Sequence, residues 1–356
     1  MRLSFSALAD PFRTDTDTVA PQAVWAFIFH HIRPLRGIAI ASLLLSIAGA
    51  SLEVWLIGYA GTLVDRLAAT PPSELWAAFG IELVVVAAII LILRPLGKFL
   101  REGLNDVAFM PNAKTMIAWR GYRHLLRQSV GWFQNQLSGR IGAHVDQAGT
   151  AATGAAYSIL NTLAFVGVYI VGSIVLMASI DPRLILPIAL WLGLYLGFMA
   201  WIVPRYRKAS GAYQAAQSRL MGMIVDTYGN IDTIKVFGDA AEEDREARER
   251  FAEMRETFIR ERRLELATNA TMALLGSVLM VGLIGLAIVM WQGGGAPLGL
   301  VAVAVALSVQ ITSMGEWLLD GVSNLFGHLG VLREAMKTVA QPIDVADAPD
   351  AAALPA

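Results

Sequence analysis

Among the ionisable side chains inside the long apolar stretches are Glu53, Arg94, and the pair Glu316 and Asp320. A charge in such surroundings is costly unless it faces a partner or a watery cavity, so these positions mark a passage or an ion pair. Glu316 and Asp320, at i and i+4, share a helix face beside Trp317, and Arg94 is expected to pair with one of them at matching depth. Glu53 falls ~24 Å along its stretch, in the outer half. Asn161, Ser308 and Gln310 are neutral polar residues in similar settings, suited to touching a cargo or to tying helices together. The chemistry on offer is binding and charge pairing, with no catalytic residues. Zero cysteines exclude thiolate nucleophiles, thiolate metal sites and disulfides, and no metal site is expected.

The elements that must hold these residues are six apolar stretches, near 38–62, 76–97, 155–179, 184–204, 269–291 and 298–320. Each is about 20 residues or longer, enough to cross ~30 Å of hydrocarbon at ~1.5 Å per residue. A spanning backbone must satisfy its own hydrogen bonds, so the stretches are helices. The composition agrees, with 56% hydrophobic and 16% charged residues where soluble domains carry about 25% charged. The fold class is therefore all-α integral membrane, with six transmembrane helices and two long helical loops. The net charge of −1 argues against a nucleic-acid partner.

The gaps run short, long, short, long, short. Of the 28 Lys and Arg, only Arg66 and Arg183 fall in the short gaps. Cations gather on the cytoplasmic side, so the long gaps and both termini are expected there, in a multi-pass protein of a cell inner membrane. The short links, Asp65 to Ser73, Asp181 to Arg183 and Gly293 to Pro297, carry turn residues. Residues 1–33 read as a polar tail without signal-peptide layout, followed by an interfacial elbow helix carrying Trp25, Phe27, Ile28 and Phe29. Residues 34–340 form the six-helix domain, and 341–356, rich in Ala, Pro and Asp, form a linker.

Both long gaps read as helices that leave the membrane and return. The first runs as helix to Gly131, which closes it, and a second helix starts near Gly139. A continuous rod to about Val130 would be ~80 Å long, leaving ~50 Å outside the membrane, with Pro95 and Pro111 as bending points. In the second gap a break falls at Gly229-Asn230. The return limb carries charges of both signs and a thin stripe of Phe251, Met254 and Phe258, suited to packing on the neighbouring rod.

The most specific sequence lies where these rods reverse. At the first turn Trp132-Phe133 is followed, six residues after Phe133, by Gly139-Arg140-Ile141. At the second, Asp226-Thr227-Tyr228-Gly229-Asn230-Ile231 leads to Ile234-Lys235-Val236-Phe237. Both turns, within this topology, resemble the transmembrane domain of ABC exporters in its half-transporter form. That family shows an aromatic-Phe pair before a Gly and an aliphatic residue, then an acidic residue, Gly-Ile and Ile-Lys-aliphatic-Phe. Here Asn230 replaces the second Gly, and Ala148 stands where an acidic residue is usual, with Asp146 nearby.

The resemblance implies that the turns are coupling helices seated on nucleotide-binding domains. Trp132, Phe133, Gln134, Asn135, Gly139 and Arg140 would serve the first, and Tyr228, Asn230, Ile231, Ile234, Lys235 and Phe237 the second. Glu53, Arg94, Asn161, Gln310, Glu316 and Asp320 are the candidates for the substrate pathway. It implies ATP and Mg2+ on a nucleotide-binding domain after the linker or on a separate subunit, because the chain contains no G-x-x-x-x-G-K-[ST] phosphate loop. It also implies a second half-transporter as dimer partner, a lipid bilayer, and a hydrophobic or amphipathic substrate. The alternatives are an ATP-independent channel or secondary carrier, which has little use for two matched long loops, and a scaffold dimerising through the charged limb, which would need longer heptads.

Overall fold

The computed structural model describes residues 5–12, 20–134, 136, 138–238 and 240–343. Among them, six helices are long and apolar enough to cross a membrane, and the chain is all-helical. Apart from the N-terminal 3-10 turn Phe5–Leu8, the order begins with α1 (Val24–Ile32), a short amphipathic helix with Phe27 and Ile28 inward and Phe29 outward. The first long helix is α2 (Arg36–Ala69). The second is built from α3 (Leu75–Ala88), α4 (Arg94–Glu102) and α5 (Met110–Leu125). After α6 (Val130–Gln134), the third comprises α7 (Ser138–Tyr157) and α8 (Ala164–Ile180). Then follow α9 (Ile185–Gly229), the short α10 (Ile231–Phe237), α11 (Ala240–Gln292) and α12 (Gly299–Val339).

The expected proline bends take a specific form. Pro95 and Pro111 each sit at the start of an α segment directly after a π-helical one, Ile89–Leu93 and Gly103–Phe109. Proline has no N–H for the carbonyl four residues earlier, so the ladder there slips to five-residue bonds: Arg94 N–H reaches the Ile89 carbonyl and Met110 N–H the Asn105 carbonyl. The rod runs from Leu75 to Leu125, ~77 Å at ~1.5 Å per residue, with a kink near its outer end where Phe79 leaves the helical region (φ −142°, ψ 21°). A third π segment, Ser158–Leu163, joins α7 to α8 without a proline.

Two sequence expectations about boundaries and one about packing need correction. The first rod ends at Leu125, and Gly131 lies inside α6 instead of closing a helix. The Ser129 hydroxyl accepts the Trp132 N–H at 3.2 Å, a cap that restarts the chain as α6. Asp65 lies within α2, not in the first link. Its carboxylate accepts the Gly299 N–H at 2.6 Å, which satisfies the first turn of α12. On the charged limb, Phe258 packs on Tyr213 at 4.9 Å between ring centroids, but Phe251 is exposed.

The chain forms two compact units. One comprises residues 1–179, 297–303 and 317–356. Its core joins Phe27 and Ile28 of α1, Phe109, Met116 and Ile117 of the second long helix, and Leu329, Leu332 and Met336 of α12. An alanine face on α7 (Ala148, Ala151, Ala152, Ala155) completes it and lets α5 approach closely. A Cβ on Gly149 would lie 2.8 Å from the Lys114 carbonyl. Ala148 is 2% exposed in this seam, while Asp146 reaches out to Lys114 at 3.0 Å.

The other unit comprises residues 180–296 and 304–316. Its backbone is the antiparallel pair α9 and α11, tied by Tyr213–Phe258 and by Arg219–Glu253 at 2.5 Å. The 304–316 part of α12 packs here too: Tyr195 donates its hydroxyl to the Gly315 carbonyl at 2.7 Å.

Candidate functional site

The first turn is α6 and the residues after it. Ser129 starts the helix, and five residues later it is over. Trp132 and Phe133 stand perpendicular, with centroids 5.0 Å apart. They have different tasks. Trp132 is half-buried against the core of its unit and donates its indole N–H to Gln341 Oε1 at 2.6 Å. Phe133, Gln134, Gly139 and Arg140 are exposed. Asn135 lies outside the described residues.

The second turn is α10, entered through Asn230, whose backbone departs from the helical region (φ −115°, ψ 26°). Asn230 Nδ2 donates to the Asp226 carbonyl at 3.0 Å, so this side chain caps α9 where the resembling family has glycine. Gly238 ends α10, and a Cβ there would meet the Ile234 carbonyl at 2.5 Å. Ile234 is half-buried; Asn230 and Lys235 are exposed. The apolar groups left outside are considerable: Tyr228 is 71% exposed, Phe237 84% and Ile231 37%. Exposed aromatic and aliphatic groups at the tip of charged rods form a surface suited to another protein. A cavity of ≈ 500 Å³ opens beside this turn, lined among others by Arg219, Asp226, Asn230, Glu246 and Arg250.

Of the residues expected along a pathway, Glu53 and Arg94 come together. Arg94 Nε donates to Glu53 Oε1 at 2.7 Å and Nη2 to Oε2 at 3.1 Å. This corrects the expectation that Arg94 pairs with Glu316 or Asp320. The reason is length: α2 runs on to Ala69 and α3 starts at Leu75, so Glu53 and Arg94 lie ~24 and ~29 Å from their shared link. Two antiparallel neighbours therefore bring them to one height.

Asn161 Oδ1 accepts the Ser46 hydroxyl at 3.3 Å and so ties α2 to the third long helix. Ser308 is fully buried with its hydroxyl on the Val305 carbonyl at 2.9 Å, which places it in packing and away from a passage. Gln310 is half-buried, and Glu316 and Asp320 are exposed on α12. Sequence reasoning missed a further tie, from Asp106 to the Tyr157 hydroxyl. Its signal was an ionisable residue flanked by Asn105 and Val107 just beyond the second apolar stretch.

Comparison with known proteins agrees with this arrangement. A family model described as the ABC transporter transmembrane region matches residues 37–314. The chain is 25% identical over 350 residues to an uncharacterized ABC transporter ATP-binding protein of Haemophilus influenzae, covering 98% of this chain and 57% of that protein. It thus spans little more than half the length of this relative. A solved structure of a bacterial Atm1-family ABC exporter with ATP bound is similar in fold, with a TM-score of 0.69 and 17% identity, over 90% of this chain and 56% of that one. With six membrane-length helices, two helix-capped reversals and a family match across most of its length, the chain belongs to the ABC transporter transmembrane-region family.

Proposed function

We propose that the chain is the membrane permease domain of an ATP-driven exporter, one half of a translocation pathway that a second copy or a homologous half-transporter completes. The observation that carries this reading is the pair of short helices α6 and α10. Each sits at the end of helices that run on into membrane-length segments, and each leaves aromatic surface exposed. A push at such a tip moves a rigid rod, which shifts the balance between two packings of the spans.

In this reading Phe133, Gln134, Asn135, Gly139 and Arg140 meet a nucleotide-binding domain at the first turn, with Trp132 behind them. Tyr228, Asn230, Ile231, Ile234, Lys235 and Phe237 meet it at the second. ATP and Mg2+ bind on that domain, carried on the same polypeptide or a separate subunit. The name of the Haemophilus influenzae relative and the ATP in the Atm1-family structure support this. The membrane is the cell inner membrane, with both long loops and both termini on the cytoplasmic side. The cargo is hydrophobic or amphipathic, and Glu53, Arg94, Asn161, Gln310, Glu316 and Asp320 are the residues offered to its path.

The test uses inverted membrane vesicles containing this protein with its nucleotide-binding domain. ATP-Mg is added and uptake of a fluorescent phospholipid analogue is followed together with ATP hydrolysis. ATP-dependent uptake that fails in Phe237→Ala supports the reading. Uptake independent of ATP would favour the channel or carrier alternative.

A further inference from the structure

The end of α12 has no glycine cap. The helix stops at Val339, Ala340 takes φ −110° and ψ 17°, and its N–H closes the last turn on the Met336 carbonyl. Just past this end the Gln341 and Pro342 carbonyls and the Gln341 side chain meet polar groups that line the first turn. His124, Gln128 and Trp132 are spaced four residues apart. His124 Nε2 lies 2.6 Å from the Gln341 carbonyl, Gln128 Nε2 donates to the Pro342 carbonyl at 3.0 Å, and Trp132 Nε1 donates to Gln341 Oε1 at 2.6 Å. The other end of the Gln341 amide, Nε2, donates to the Lys337 carbonyl at 2.5 Å. On the far side of the turn, His144 Nδ1 lies 2.6 Å from Thr338 Oγ1.

Residues before, within and after the first turn thus hold the five positions from Thr338 to Pro342. The contacts are sheltered. Gln128 and His144 are each 7% exposed and Thr338 4%, and Leu125, Val339 and Ala340 pack around them. A carbonyl accepts from His124 only when Nε2 carries the proton, so the geometry also specifies that tautomer.

We propose that His124, Gln128, Trp132 and His144 form a latch that makes the exit of α12 move with the first turn, with Trp132 and Gln341 as its central pair. The role of Trp132 is to position Gln341 and not to touch a partner. Resting on the exporter reading, this gives the turn two outputs: its outer face receives the push, and its inner face carries it into α12 without passing through the membrane first. Neutral hydrogen bonds suit this task, because screening by salt does not loosen them as it does ion pairs.

Two measurements test the latch. The first is hydrogen–deuterium exchange on this chain in lipid nanodiscs, free of nucleotide, for the native protein, Trp132→Phe, Gln341→Met and the double variant. Trp132→Phe keeps an aromatic ring but removes the donor with part of the indole, so Gln341→Met, which leaves the indole in place, isolates the lost bond. Each single variant should raise exchange in the peptide covering 338–341 roughly fivefold, as expected for one lost hydrogen bond. The double variant should add little to either, and α9 should stay as in the native protein. Native exchange in both single variants, or additive effects in the double, overturns the latch.

The second measurement uses the protein with its nucleotide-binding domain, trapped with ATP-Mg and vanadate. In the native protein trapping should change exchange along α12, and in Trp132→Phe that change should shrink several-fold. An equal response in the variant overturns the transmission role. If the native protein itself shows no response to nucleotide, the exporter reading fails, and the nucleotide-free comparison still decides whether the latch exists.

Discussion

Arg94 grips Glu53 with two nitrogens, Nε at 2.7 Å and Nη2 at 3.1 Å, across the first and second long helices. The two residues are 41 apart in sequence and the Arg94 side chain is half exposed within the chain. A planar guanidinium meeting a carboxylate in this two-point manner fixes the rotation and height of both helices together.

Removing one partner leaves the other without its counter-charge among apolar side chains. Glu53→Gln or Arg94→Gln should each lower stability by about 1–2 kcal/mol, the upper range for interhelical polar ties in membranes. The exchanged pair Glu53→Arg with Arg94→Glu should recover at least half of that. Unfolding in detergent followed by tryptophan fluorescence measures it, and a double exchange no better than the single variants would refute the pairing.

The approach of α2 to the start of α12 depends on two glycines. A Cβ on Gly299 would sit 2.0 Å from the Gly61 carbonyl, and one on Gly61 would sit 2.3 Å from Val303 Cγ2. The first of these atoms is backbone and cannot swing aside. Gly299→Ala should therefore cost about 1–3 kcal/mol by overpacking and break the bond from Gly299 N–H to Asp65. A variant with native thermal stability in nanodiscs would show that the helices stand further apart than this.

Tyr195 is fully buried, stacked on Trp191 at 5.2 Å, and its hydroxyl reaches the Gly315 carbonyl. Tyr195→Phe keeps the ring and removes the bond, so a loss of about 1 kcal/mol is expected. Tyr195→Ala also opens a cavity and should cost about 3–5 kcal/mol. The ratio of the two effects, read from thermal aggregation midpoints, separates the bond from the packing.

The exposed ring at the second turn makes a different prediction. Phe237 is 84% exposed, so Phe237→Ala should leave the thermal stability of this chain unchanged. If the ring docks on a nucleotide-binding domain, losing its burial should weaken coupling by about 1.5–3 kcal/mol, or roughly tenfold or more in the docking equilibrium. ATP hydrolysis in proteoliposomes at matched protein levels reads this. A drop in stability without a change in hydrolysis would reverse the assignment.

Much of the architecture was legible in order along the chain. Apolar length marked the six spans, and Gly229-Asn230 marked the break into the second turn because capping is a local matter of one side chain and its nearest carbonyl. Pro95 and Pro111 announced irregularities whose π form follows from one missing N–H each. The first turn was harder to read. Gly131 looked like a terminator, but Ser129 two residues earlier already caps α6.

What the sequence by itself determined was therefore whatever a single helix or a single turn decides within a few residues: membrane length, polarity, breaks and the family-like reversals. Only the tertiary structure decided partners. Arg94 with Glu53, Gly299 with Asp65 and Trp132 with Gln341 each depend on how two separate helices are rotated and how far each extends past its apolar stretch. A helix can extend by two turns without changing its apolar signature, yet ~1.5 Å per residue then carries a side chain past one neighbour and on to the next. Periodicity along one element holds no record of the height at which another element stands beside it.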